Sequence, residues 1–291
     1  MWSVLKSAFD SWLAHKSPRL GAALAYYSVF SLGPLLLIVV SVAGLFFGGA
    51  SVRDALTSQF QSLLGTAGSQ AVEAMLRGAD TPTSGILSGA VGIVLLLVAA
   101  LGVVVQLKDA LNTIWEVEQP KTGGIVSYLR TYLVSFAGIL ALGFLLAVSL
   151  VISTALAALS GWMGAGESIF WTAVNFVASS LVLTALFAAL FRWFPDAEVT
   201  WRCALIGGLV TALLFSAGKF VIGWYIGTQG LESTYGAAAS VVVLLVWIYY
   251  SSQIVLFGAE ITRVLEVQST GQAPHKALEG PGIGERSSAP N

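Results

Sequence analysis

Apolar residues run in long blocks along this chain rather than in the two-residue alternation of a strand. Six blocks are long enough to cross a hydrocarbon core of about 30 Å, which takes about 20 helical residues. They are Leu20 to Phe47, Ile86 to Trp115, Tyr128 to Leu159, Ile169 to Phe194, Cys203 to Ile226, and Ala237 to Leu265. An apolar segment in lipid must satisfy its own backbone hydrogen bonds, so each block predicts a helix and the whole chain an all-α bundle of six transmembrane helices. Thr131 to Gly166 carries no charge yet is too short for two crossings and a turn. It predicts one long, tilted helix ending near Gly161, Gly164 and Gly166.

The pieces between the blocks have their own patterns. Over residues 1–19, Trp2, Leu5, Phe9, Trp12 and Leu13 fall at helical spacing opposite Lys6, Asp10 and Lys16. This predicts a short helix lying in the headgroup layer, and the interspersed charges leave no apolar core for a signal peptide. The spanning domain then covers residues 20–266. Inside it, the segment 51–83 holds two apolar stripes, Val52, Leu56, Phe60 and Leu63 and then Val72, Met75 and Leu76, separated by Gly65-Thr66-Ala67-Gly68. Two short amphipathic helices capping the bundle on its outer side are expected there. Residues 267–291 are rich in Gly, Pro and Ser without periodicity, the pattern of a disordered tail.

Composition agrees with the blocks. Of 291 residues, 56% are hydrophobic and 10% charged, with a mean hydropathy of +0.84, whereas a soluble protein is about a quarter charged. A net charge of -1 removes the electrostatic case for nucleic acid as a partner. The lone Cys203 excludes an internal disulfide, and His15 and His275 both lie outside the apolar blocks, so no metal centre or other cofactor is implied. The cations orient the chain. Lys6, Lys16, Arg19, Lys108, Lys121, Arg130, Arg192, Arg202, Arg263, Lys276 and Arg286 fall on one side against Arg53 and Arg77 on the other. The positive-inside rule then predicts a multi-pass membrane protein with both termini cytoplasmic.

A charge or amide inside a span costs on the order of 2–4 kcal/mol at the membrane centre, so polar residues in the blocks are the candidates for function. Gln106, Asp109, Thr113 and Glu116 recur at three- and four-residue spacing near the cytoplasmic end of the second block. Tyr249 or Tyr250, Gln253 and Glu260 share a face of the sixth, and Tyr26, Tyr27, Ser28 and Ser31 enter at comparable depth on the first. Pro34 frees the carbonyl of Phe30 on the same helix. Two readings stand side by side: a water-accessible cavity open to the cytoplasm, or interhelical hydrogen bonds that cement helix ends. Lys219 is the one charge well inside a block, without a carboxylate at its depth. It is either shielded by neighbouring aromatics or an anion contact. The candidate substrate-binding residues are therefore Lys219, Tyr27, Gln106, Asp109, Gln253 and Glu260. The G-x-x-x-G pairs Gly44/Gly48, Gly85/Gly89 and Gly223/Gly227 permit close helix approach and leave room for a homo-oligomer.

Several separated motifs carry a resemblance. Ala22 through Tyr26-Tyr27-Ser28 to Pro34-Leu35, Ala110-Leu111-Asn112-Thr113-Ile114-Trp115, Arg192-Trp193-Phe194-Pro195-Asp196, and Tyr235-Gly236-Ala237 through Trp247 to Phe257-Gly258-Ala259-Glu260 resemble the YihY/BrkB family of bacterial inner-membrane proteins. The resemblance implies a six-span inner-membrane protein of poorly defined role, linked to virulence and envelope functions and once labelled a ribonuclease. No catalytic residue comes with it. Two surface histidines, no acidic cluster and no basic groove weigh against phosphodiester cleavage, and no nucleotide-binding motif or hydrolase motif supports a pump or another enzyme. A transporter or translocator of a lipid or an anionic small molecule, without its own ATPase, accounts for Lys219 and the polar faces together. A structural scaffold of the cell envelope, with membrane lipids as partners in either case, accounts for the glycine faces.

Overall fold

A computed structural model describes residues 2–78, 102–117, 169–228 and 239–271, and all regular structure in them is helical. The helices are α1 (Trp2–Ala14), α2 (Ser17–Phe47), α3 (Gly49–Gly78), α4 (102–114), α5 (Ile169–Trp193), α6 (Trp201–Thr228) and α7 (Ala239–Thr270). By length and composition, three of the described helices can cross a membrane, through Phe176–Trp193, Trp201–Lys219 and Val241–Thr270. These fall in the fourth, fifth and sixth predicted spans. α2 covers the first, α4 the last part of the second, and the third lies outside the described residues, as does the tail beyond residue 271. Large apolar side chains face outward along these helices, among them Phe176, Val177 and Leu181 on α5, Leu209 and Leu213 on α6, and Val241 and Leu245 on α7. Water would penalise that surface, whereas hydrocarbon accepts it.

α1, the start of α2, the ends of α4, α5 and α7 and the start of α6 meet at one end of the bundle, called here the polar end. α1 is docked rather than free. Val4 and Ala8 are buried with Ile261 of α7, and Leu5, Val210 and Phe257 pack around them, while Trp2, Phe9 and Leu13 face outward. A two-residue turn leads into α2. Lys16 adopts the left-handed conformation there (φ 55°), and Pro18 sits in the first turn of α2, where its missing N–H and fixed φ are tolerated. α2 is helical without interruption through Pro34.

α6 and α7 are clasped by a reciprocal pair of small motifs. A Cβ at Gly207 would fall on Oγ1 of Thr262, and a Cβ at Gly258 would fall on Oγ1 of Thr211. Each threonine hydroxyl donates to the carbonyl of the glycine four residues before it, Thr211 to Gly207 at 2.7 Å and Thr262 to Gly258 at 2.8 Å. On the other side of α6, Gly208 lies against α5, where an added Cβ would stand 2.7 Å from the Thr184 carbonyl oxygen. The main core, with Leu111, Ile114, Phe191 and Leu256 fully buried, lies between α4, α5, α6 and α7 toward the polar end.

Residues 49–78 depart from the expected two surface helices. They form one helix of 30 residues, turned back from α2 at Gly48, whose φ of 84° suits only glycine comfortably. Val52, Leu56 and Phe60 of the first stripe and Val72, Met75 and Leu76 of the second nevertheless pack in one apolar cluster with Leu32, Leu36 and Val40 of α2. Met75 lies 3.8 Å from the Cβ position of Gly33. Along straight helices Gly33 would stand about 22 Å and Met75 about 40 Å from Gly48. The two could not then touch, so α3 bends between its stripes, in the interval holding Gly65 and Gly68. Met75 of its second leg, together with Phe60 of its first, packs against Val243, Leu244 and Trp247 of α7. The segment is built into the bundle rather than laid over it.

Candidate functional site

The polar end holds a set of hydrogen-bonded charges on elements far apart in sequence. His15, in the turn between α1 and α2, donates from Nδ1 to Glu260 Oε1 on α7 at 2.8 Å and meets Glu116 Oε1, just after α4, through Nε2 at 3.2 Å. Arg263, one turn beyond Glu260 on α7, pairs with the same Glu116 oxygen at 2.6 Å. Burial is graded across the set: side-chain exposure is 56% at Glu116, 14% at His15 and 0% at Glu260. Glu116 takes a left-handed backbone, φ 51°, a conformation costing a non-glycine residue on the order of 1 kcal/mol or more unless neighbours hold it. His15 and Arg263 supply that hold.

Charge and hydrogen bonding set the titration of the two groups outside the spans. The hydrogen bond to Glu260 leads in raising the His15 pKa above 6.5, against the opposing effect of burial, with Glu116 adding to the rise. For Glu116, burial works to raise the pKa, but the His15 hydrogen bond and the Arg263 charge outweigh it and hold the carboxyl below 4.5.

Two further contacts tie this end together. Asn112 on α4 clamps the turn after α5: its Nδ2 donates to Asp196 Oδ2 at 3.0 Å and its Oδ1 accepts from the Asp196 backbone N–H at 2.8 Å. Lys108, one turn before it, pairs with the same carboxylate at 3.0 Å. Glu266 on α7 caps the start of α6, accepting from the Thr200 N–H at 2.9 Å and its hydroxyl at 2.8 Å. A carboxylate at a helix N-terminus satisfies a free backbone donor and complements the helix dipole.

The sequence candidates separate into distinct places. Glu260 belongs to the His15 set, and its Oε2 has no hydrogen-bond partner among the described residues. Gln253, seven residues earlier on the same face of α7, lies over Gly21 of α2, where a Cβ would collide with its amide. Both amide atoms of Gln253 are buried without a hydrogen-bond partner among the described residues. Tyr27 lies against α4, with Cδ1 3.3 Å from the Cβ position of Gly102. Gln106 and Asp109 are half-buried on α4, and Asp109 takes part in an interaction of its own. Lys219 is half-buried on α6. It follows Gly208 by eleven residues, about 20° of helical rotation, and so shares the side of α6 that meets α5. Gly218 packs on Tyr250, which puts Lys219 at that level, ten residues or about 15 Å of helix from Glu260. Lys219 is therefore not gathered with Gln253 and Glu260.

Sequence reasoning missed the role of His15, taken as a surface histidine. The Ser17-Pro18 helix start placed it at the neck between an amphipathic helix and a span, where a polar side chain can turn inward. The Asp196 clamp and the Glu266 cap were equally unforeseen. Among the described residues no group of His, Cys, Asp and Glu could hold a metal ion.

All-helical structure, apolar outward faces and buried polar groups at one end define an integral membrane protein. The chain belongs to the YihY/BrkB family: residues 8–282 match the family model described as virulence factor BrkB. It is similar to a UPF0761 membrane protein of Pseudomonas paraeruginosa, 35% identical over 261 residues that make up 86% of this chain and 61% of that one. A UPF0761 membrane protein of Alkalilimnicola ehrlichii is 34% identical over 88% of this chain and 56% of its own. One of Psychrobacter is 27% identical over 93% and 50%. The chain thus spans between half and about three fifths of the length of these curated relatives. No solved structure matches it.

Proposed function

We propose that this protein is a carrier in the bacterial inner membrane, with both termini cytoplasmic, that moves a lipid or an anionic small molecule without an ATPase of its own. The observation that carries the reading is Gln253: a side chain with two donors and an acceptor on a spanning helix, its amide atoms buried and neither partnered among the described residues. Such a group is costly in a bilayer unless water or a polar ligand reaches it. The unpartnered Oε2 of Glu260 on the same face supports an interior polar path. Tyr27, Gln106 and Asp109 are its expected further lining, and Lys219, on the α5 side of α6, is the expected anion contact.

The test is lipid movement in vesicles of phosphatidylethanolamine and phosphatidylglycerol carrying tail-labelled NBD-phosphatidylglycerol, read by dithionite quenching. The wild type should raise translocation well above empty vesicles. Gln253→Leu and Lys219→Met should each lower it at least tenfold while inserting and melting normally. Wild-type vesicles no faster than empty ones for both the labelled lipid and a trapped anionic dye would end the reading. A fully active Lys219→Met protein would remove that residue from the site.

A second reading has its own support. Lys108 and Arg263 are both spent on ion pairs within the chain, as in an envelope scaffold whose polar residues serve as cement. On that view Gln253→Leu would change only the melting temperature.

A further inference from the structure

The geometry points to a proton-transfer site at the polar end: His15, held between exposed Glu116 and fully buried Glu260, passes protons between water and the interior of the spans. The inference rests on the carrier reading and deepens it by naming the coupling ion.

Three observations support it. First, the imidazole contacts a carboxylate through each ring nitrogen, at 2.8 and 3.2 Å, distances at which a proton can pass in either direction. Secondly, the two carboxylates differ in access to water, 56% exposed against 0%, so the histidine is the link between an aqueous acid and a buried one. A purely structural ion pair needs only one of these contacts. Thirdly, Glu260 keeps Oε2 buried and unpartnered, an acceptor still free after His15 has taken the other oxygen, and unpartnered Gln253 lies two turns deeper on the same face.

The transfer balances without any redox partner. A hydronium ion at the Glu116 side gives a proton to Nε2 of neutral His15, leaving water and forming imidazolium. The Nδ1 proton then moves to Oε1 of Glu260, leaving a neutral imidazole and a neutral carboxylic acid, with one proton moved inward. Release of the Glu260 proton to a water or ligand further inside, followed by rotation of the ring, resets the pair, and histidine is the side chain suited to such shuttling near neutral pH. The charged groups acting on the imidazole are Glu260, Glu116 and Arg263, from α7 and the turn after α4; none comes from α1 or α2. Arg263 holds Glu116 in place and favours the deprotonated form of the outer acid.

The experiment uses the full chain in phosphatidylethanolamine and phosphatidylglycerol vesicles with pyranine inside, under a valinomycin-set potassium potential. NBD-phosphatidylglycerol movement is followed in parallel samples. Proton entry in the wild type, lowered at least tenfold by His15→Asn and by Glu260→Gln and less by Glu116→Gln, is expected. His15→Asn keeps a donor toward Glu260 while removing the titration, so a folded His15→Asn protein with wild-type proton entry overturns the proposal. So does a wild type that admits no protons, whether or not lipid moves. Proton entry that depends on His15 alongside lipid movement equal to empty vesicles would sustain the proton site and sink the lipid reading. Should Glu260→Gln fail to fold, histidine NMR decides. The chain has two histidines, and His275→Gln isolates the His15 signal. Its titration should move toward that of an ordinary histidine in Glu260→Asp, and an unmoved titration overturns the link.

Discussion

Gly258 on α7 and Thr211 on α6 occupy each other's space: the threonine side chain fills the position where a Cβ on the glycine would stand. The same relation holds one turn away between Gly207 and Thr262, so the two antiparallel helices close on each other through two copies of one motif. Lipid offers no hydrophobic drive between helices, and close packing of this kind takes its place.

Gly258→Ala should therefore destabilise the bundle by about 1–3 kcal/mol, the range for an overpacked core. Thr211→Ala in the same chain should recover part of the loss by vacating the space. Thermal melting in detergent of the two single variants and the double variant checks this; strict additivity would mean that the helices are not in contact there.

Glu266 and Thr200 give a second expectation. Removing the carboxylate in Glu266→Ala leaves the Thr200 N–H at the start of α6 without its partner, at a cost of about 1–3 kcal/mol. Glu266→Gln, which keeps an acceptor oxygen, should lose less. Hydrogen exchange at residues 200–203 locates the effect: it should quicken there in Glu266→Ala and remain slow at α5.

Stability of the polar end should depend on pH in a defined direction. The raised His15 pKa means a contribution fully present below 6.5 and lost as pH rises through the folded value. The lowered Glu116 pKa means a contribution present above 4.5 and lost as pH falls through its folded value. Melting should thus peak on the mildly acidic side and decline toward alkaline pH. His15→Gln should remove the alkaline decline; an identical decline in that variant would show that other groups cause it.

Orientation can be tested at exposed positions. In a Cys203→Ala background, Ser51→Cys beside the α2–α3 turn should react with a membrane-impermeant maleimide added to intact spheroplasts. Gln268→Cys near the end of α7 should react only after lysis. The reverse pattern would invert the topology drawn from the cation distribution.

How far the sequence carried the fold depended on where each segment finds its partners. The fourth to sixth blocks are long and predominantly apolar, so length and hydropathy sufficed to place α5, α6 and α7. α3 was misjudged because Arg53, Asp54, Glu73 and Arg77 make residues 49–78 read as a surface piece, and Arg77 does pair with Glu73 on its own helix. Its apolar stripes were visible, but the face that receives them, Val243 to Trp247, is distant in the chain. In the candidate site, the seven-residue spacing of Gln253 and Glu260 was legible as one face of α7, on which the structure sets Gln253 over Gly21 and Glu260 on His15. His15 was not legible in the same way, since its burial depends on α1 docking against α7, a tertiary event without a local pattern.

The way α3 is built in has a consequence for how the chain is made. A helix carrying four charges partitions poorly into lipid by itself, and the α7 residues against which its second leg rests are synthesised roughly 170 residues later, on the order of ten seconds at bacterial rates. Until then, among the described helices, α2 and the Phe215 and Ile222 stretch of α6 are what it has to pack against. The packing of α3 is therefore completed only when α7 arrives, so the bundle is finished at a segment near its beginning, and a ribosome stalled before residue 239 would leave Phe60 and Met75 without that part of their cover.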